Sequence, residues 1–146
     1  MAFLEIQNIS KTYVSHQKSV HALDNVSFTM EEHEFCCLIG YSGCGKSTLL
    51  RIVDGLIYPT SGQVLIKGNT VNRPGFDRGM VFQQFNLLPW RTVLGNIEFG
   101  LETREMSKKD RQQRAMRYIS MVGLDGFEDS YPSQLSGGMQ QRVGLA

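Results

Sequence analysis

Polar and apolar positions along the chain change period several times, and each change marks an element. Residues 3–7 alternate apolar and polar side chains, as do residues 26–30, which predicts half-buried strands. Residues 34–39 form a nearly continuous apolar run that stops at Gly40, the pattern of a strand buried on both faces. From Lys46 onward, Leu49, Leu50, Ile52 and Val53 recur at helical spacing, and Gly55 closes that helix. Residues 59–62 read as a turn, with short strands at 63–67 and 78–83. An apolar loop at 86–90 precedes a helix over 92–105 carrying Val93, Ile97 and Leu101 on one side. Ser107 and Asp110 resemble a capping box for a further helix ending near Gly123. The expected organisation is an α/β part over 1–85, a helical subdomain over 86–134, and a last segment over 135–146.

Composition narrows the class. The chain has 146 residues, 41% of them hydrophobic and 20% charged, with a formal net charge of +1. That suits one globular domain and gives no basic stripe for nucleic acid. The densest basic stretch, Lys108 to Arg117, is interrupted by Asp110 and reads as a solvated helix face. No run of about eighteen apolar residues offers a membrane span, and the start from Met1 has no signal-peptide pattern. Cys36, Cys37 and Cys44 lack metal-ligand spacing, and His16, His21 and His33 do not complete a set with them. Cys36 and Cys37 are expected as small buried hydrophobes.

The segment from Gly40 to Ser47, Gly-Tyr-Ser-Gly-Cys-Gly-Lys-Ser, fills the pattern G-x-x-x-x-G-K-[ST] at every fixed position. Gly40, Gly43 and Gly45 let backbone N–H groups turn toward crowded phosphate oxygens, and the helix opening at Lys46 adds its dipole. Lys46 supplies a point charge for the β- and γ-phosphates. The Ser47 hydroxyl is placed for Mg²⁺, and Thr48 for an α-phosphate oxygen. Alone, such a loop serves kinases, GTPases and helicases equally well. Cys44 lies among these donors, so its alkylation is expected to block nucleotide binding, with Mg-ATP protecting it. Further on, Ser136 is a helix N-cap followed by Gly137 and Gly138, a second place where bare backbone opens a helix toward an anion.

Together, the loop and Leu-Ser-Gly-Gly-Met-Gln-Gln from Leu135 resemble the ATP-binding cassette (ABC) ATPases, over essentially the whole chain. The wording of residues 79–97 looks most like importer cassettes for nitrate, sulfonate and taurine. The resemblance implies a P-loop α/β core with an antiparallel N-terminal part and an inserted helical subdomain. It also implies ATP and Mg²⁺ as cofactors, and assigns the nucleotide to Tyr13, Gly40, Ser42, Gly43, Cys44, Gly45, Lys46, Ser47 and Thr48. Ser136, Gly137, Gly138 and Gln140 would contribute from a second subunit packed head to tail. Tyr13 matches the adenine-stacking aromatic, although a plain strand tyrosine reads the same. Gln83 matches the glutamine that meets Mg²⁺ or the attacking water, and a polar strand end is its alternative. Lys46 and Gln83 are the catalytic candidates; Ser47 and Gln83 are those for metal. Phe85, Leu87, Leu88, Pro89 and Trp90 look like the groove for a permease helix, or else pack within the subdomain. Such a subunit is peripheral, on the cytoplasmic face of the plasma membrane.

Three positions depart from the importer pattern: Tyr41, His33 and Asp54 stand where proline, glycine and a small residue are usual. His33 is expected to strain its turn if its φ is positive. The family's apolar strand ending Asp-Glu, which supplies the general base, has no counterpart in these 146 residues. The chain therefore reads as truncated, with part of its sheet missing, poor stability in isolation and negligible turnover alone. Two alternatives stay open: a soluble ABC ATPase outside transport, and a nucleotide-binding fragment without hydrolysis.

Overall fold

The computed structural model describes residues 2–15 and 18–146. His16, weighed above for a metal set, and Met1 lie outside the described residues. Contacts divide the chain into two compact units, Met1–Met80 and Val81–Ala146.

The first unit is an antiparallel sheet covered by one helix. Strands β1 (Leu4–Ser15), β2 (Lys18–Met30), β3 (Ser61–Ile66) and β4 (Asn69–Thr70) lie in the order β2-β1-β3-β4. Alternation places Leu4 and Ile6 on the covered face, where period two would next bring Asn8 inward. A register shift between Ile6 and Ile9 absorbs one residue, with Asn8 at φ 54°, and returns Ile9 to the core, fully buried. Helix α1 (Lys46–Val53) lays Leu49 and Ile52 against Leu4, Ile6, Ile9, Leu23, Val64 and Ile66. Gly55 (φ 80°) ends it as the sequence pattern predicts.

Two expectations fail here. Residues 34–39 and 78–83 form no strand, and Cys36 and Cys37 are exposed rather than buried. The physical reason is shared. A strand buried on both faces needs ladder partners at its edges and covered faces, and among the described residues nothing pairs with either segment. Leu38 alone of the first run packs against the core, while Phe35 and Ile39 stand 91% exposed.

The second unit holds α2 (Val93–Phe99), α3 (Lys108–Met121), a 3-10 turn (Pro132–Gln134) and α4 (Gly137–Leu145). Val93, Ile97, Ala115, Ile119, Leu124, Leu135 and Val143 form its core. Helix α2 is shorter than the periodicity predicts, ending at Gly100, a weak helix former. Beyond it Arg91 holds Glu102 through two bonds of 2.6 and 3.1 Å, fixing the turn. Ser107 caps α3 as expected: its Oγ accepts from the Asp110 N–H at 3.2 Å and donates to the Asp110 carboxylate at 2.6 Å.

Candidate phosphate-binding site

In the first unit, the 40–47 loop turns directly into α1, and two glycines define its path. Gly43 and Gly45 have φ of 86° and 96°, backbone that L side chains rarely adopt. Gly45 also leans on β2 so closely that an added Cβ would overlap the Ala22 carbonyl oxygen. No described side chain caps α1, which leaves its first-turn N–H groups available to a ligand. Ser47 is exposed and Thr48 half-buried at that end.

Lys46 folds across its own loop. Its Nζ donates to the carbonyls of Gly40 and Tyr41, each at 2.7 Å, and lies 3.5 Å from Cys44 Sγ. These bonds turn two carbonyl oxygens toward the cation, so the opposite edge of the loop can present N–H groups to an anion. A Cβ at Gly40 would sit 2.6 Å from Cys44 Sγ. The half-buried thiol thus fills the space that the first glycine leaves.

Tyr13 lies on the same unit. It pairs with Val20, two residues along β2 from the Ala22 against which Gly45 packs, about 7 Å of strand. The ring is 42% exposed, and Lys11 Nζ sits 5.2 Å from its centroid. That lysine contact is a feature the sequence pattern did not single out. Its signal was the i, i+2 spacing on one strand face.

The second unit carries the remaining candidates. Ser136 caps α4, its Oγ accepting from the Met139 N–H at 3.3 Å. Gly137 and Gly138 are exposed, with open space where a Cβ would stand. The turn before them is anchored from beneath. Leu135 is buried, and Gln140 Nε2 donates to the Pro132 and Leu135 carbonyls at 2.9 and 3.2 Å. Arg142 ties α4 to the end of α3 through the Val122 and Gly123 carbonyls. Gln140 therefore shapes the glycine entry with its amide donors. Gln83 is exposed, and so are Phe85 and Trp90, the latter at 71%. Leu87 packs on the unit's core, and Leu88 is half-buried.

Sequence reading missed the device that holds this apolar loop. Asn96, inside α2, accepts from the Leu88 N–H at 2.7 Å. Its Nδ2 lies 3.2, 3.0 and 2.9 Å from the Leu88, Arg91 and Thr92 carbonyls. An asparagine in a helix interior, where its propensity is poor, was the available signal.

Comparison with known proteins shows the family. Residues 23–146 match the family model described as ABC transporter. An uncharacterised ABC transporter ATP-binding protein of Methanocaldococcus jannaschii is 54% identical over 98% of the chain and 54% of its own length. A nitrate import ATP-binding protein of Synechocystis is 49% identical over 98% and 54%. A taurine import ATP-binding protein of Rhizobium johnstonii is 46% identical over 88% and 49%. The chain thus spans about half the length of the curated relatives it matches. Among solved structures, a dimeric ATP-binding cassette in a post-hydrolysis state, bound to ADP and Pi, superposes with a TM-score of 0.83. It is 39% identical, over 97% of this chain and 67% of that one. The glycine loop closed by Lys46, the capped glycine entry at Ser136 and the family match converge: the chain belongs to the ABC transporter ATP-binding family.

Proposed function

We propose that this chain binds Mg-ATP as part of the ATP-binding subunit of an ABC importer. The observation that carries the reading is the Gly40–Ser47 loop itself, with left-handed glycines at 43 and 45, Lys46 folded across it and an uncapped helix behind it. In this reading Lys46 and the α1 N-terminus take the β- and γ-phosphates. Ser47 takes Mg²⁺, and Tyr13 takes the adenine. Ser42, Gly43, Cys44 and Thr48 line the same cradle. The Ser136, Gly137 and Gly138 entry, shaped by Gln140, closes on nucleotide held by a second subunit packed head to tail. The dimeric form of the cassette that this chain resembles supports that arrangement.

Hydrolysis and transport are proposed for the subunit as a whole, since the relatives are about twice as long. Nitrate and taurine import in similar proteins support a small anionic or zwitterionic solute. Exposed Phe85 and Trp90 support a permease contact along residues 83–90, at the cytoplasmic face of the membrane. No helix among the described residues is long and apolar enough to cross a membrane. Affinity purification of the tagged subunit from its host tests the transport reading. Recovery of two integral membrane subunits supports it, and recovery of ribosomes instead refutes it.

A further inference from the structure

We infer that Lys11 is a positioning residue for the base platform, locking the Tyr13 ring to the exit of the phosphate-loop helix. The inference rests on the nucleotide reading above and deepens it. Lys11 and Tyr13 stand two apart on β1, hence on one face of the strand. The Lys11 ammonium lies over the Tyr13 ring at 5.2 Å, within cation–π range. The same Nζ donates to the Tyr58 carbonyl at 2.7 Å.

Tyr58 is no loose anchor. Leu56 and Ile57 donate their N–H groups back to the Arg51 carbonyl in the last turn of α1, at 2.9 and 3.4 Å. Just beyond, the Thr60 N–H donates to the Ser10 carbonyl at 2.8 Å, and Thr60 Oγ1 accepts from the Thr12 N–H at 2.9 Å. The chain leaving α1 is therefore stitched to β1 on either side of Lys11 in sequence. One end of α1 carries the phosphate loop. The other fixes the cation that covers one face of the tyrosine.

Two consequences follow from that geometry. The ammonium occupies one ring face, so a base stacks on the other. The ring's rotamer is held before the base arrives, which lowers the ordering cost of stacking. The Lys11 ammonium is engaged by the Tyr13 ring and the Tyr58 carbonyl, so its effect belongs to the base and not to the triphosphate.

Calorimetric titration of the whole chain with Mg-ATP and with Mg-tripolyphosphate tests this. Lys11→Met keeps the aliphatic stem and removes the cation. It is expected to weaken ATP two- to fivefold, the range for an exposed cation–π contact, and to leave tripolyphosphate unchanged. Lys11→Arg, which retains a cation and a donor, is expected to restore the ATP preference. In a Tyr13→Ala background, Lys11→Met is expected to have no further effect. Equal weakening of both ligands would overturn the inference, as would an effect that persists without Tyr13. Loss of ATP preference in Tyr13→Ala but not in Lys11→Met would overturn the role of Lys11 alone. A wild-type chain that binds tripolyphosphate as tightly as ATP would overturn the base platform and Lys11 together.

Discussion

Replacing Asn96 with alanine is expected to loosen the loop that carries Trp90. The half-buried side chain meets one N–H and three carbonyls of residues 88–92. Its amide has only two hydrogens, so three of those four contacts can be full bonds at once. At about 1 kcal/mol net for each bond, the loss is about 3 kcal/mol. Alanine returns roughly 0.5 kcal/mol through better helix propensity, and water reaches some of the freed carbonyls. A net destabilisation of about 2 kcal/mol remains, a fall of about 1 M in the urea midpoint at ordinary slopes. Trp90 is the only tryptophan of the chain and is 71% exposed, so its emission reports on this loop without labelling. Urea titration followed at Trp90, with acrylamide quenching in the folded baseline, measures both stability and loop mobility. An unchanged midpoint together with unchanged quenching would refute the clamp.

Three further outcomes follow from particular residues. His33 sits at φ 67° in the turn after β2, so His33→Gly is expected to stabilise the first unit by about 1 kcal/mol. A lower thermal midpoint would show that the side chain compensates for its own strain. Cys44 fills the space beside Gly40, and its alkylation is expected to abolish ATP binding, with Mg-ATP slowing the modification. Equal labelling rates with and without nucleotide would contradict that. The Glu102 carboxyl is held below the usual range chiefly by hydrogen bonds from Arg91, and Glu128 by the Gly126 N–H. A carboxyl lowered on folding stabilises fully above its unfolded value. That contribution is lost as the pH falls through the folded one, so what these two pairings add to the second unit fades only below about pH 4.5. Carboxyl chemical shifts in an acid titration check it, and midpoints at the ordinary carboxylate value would refute the pairing.

Local chemistry was the legible part of the sequence. The glycine loop, the start and end of α1, the Ser107 and Ser136 caps and the turn at His33 each depend on a few neighbouring residues. All stand where the pattern places them. The failures concern long-range pairing. An apolar run such as 34–39 becomes a strand only if other segments hydrogen-bond to its edges, and nothing in its own composition reports whether they do. Phe35 and Ile39 are exposed for that reason, and Cys36 and Cys37 with them. Side chains that serve distant backbone were equally hidden. Asn96 on the 88–92 loop and Lys11 on Tyr58 look like ordinary polar residues until the chain is folded.

The claim that this loop binds ATP stands most directly on Lys46. Calorimetric titration of Mg-ATP into the wild-type chain and into Lys46→Ala tests it. Removing the only side-chain cation on the loop should cost more than about 2 kcal/mol for a charge-assisted contact, at least a thirtyfold loss of affinity. Equal affinity in the two proteins would contradict it, because the phosphates would then lie somewhere other than in the Gly40–Ser47 cradle.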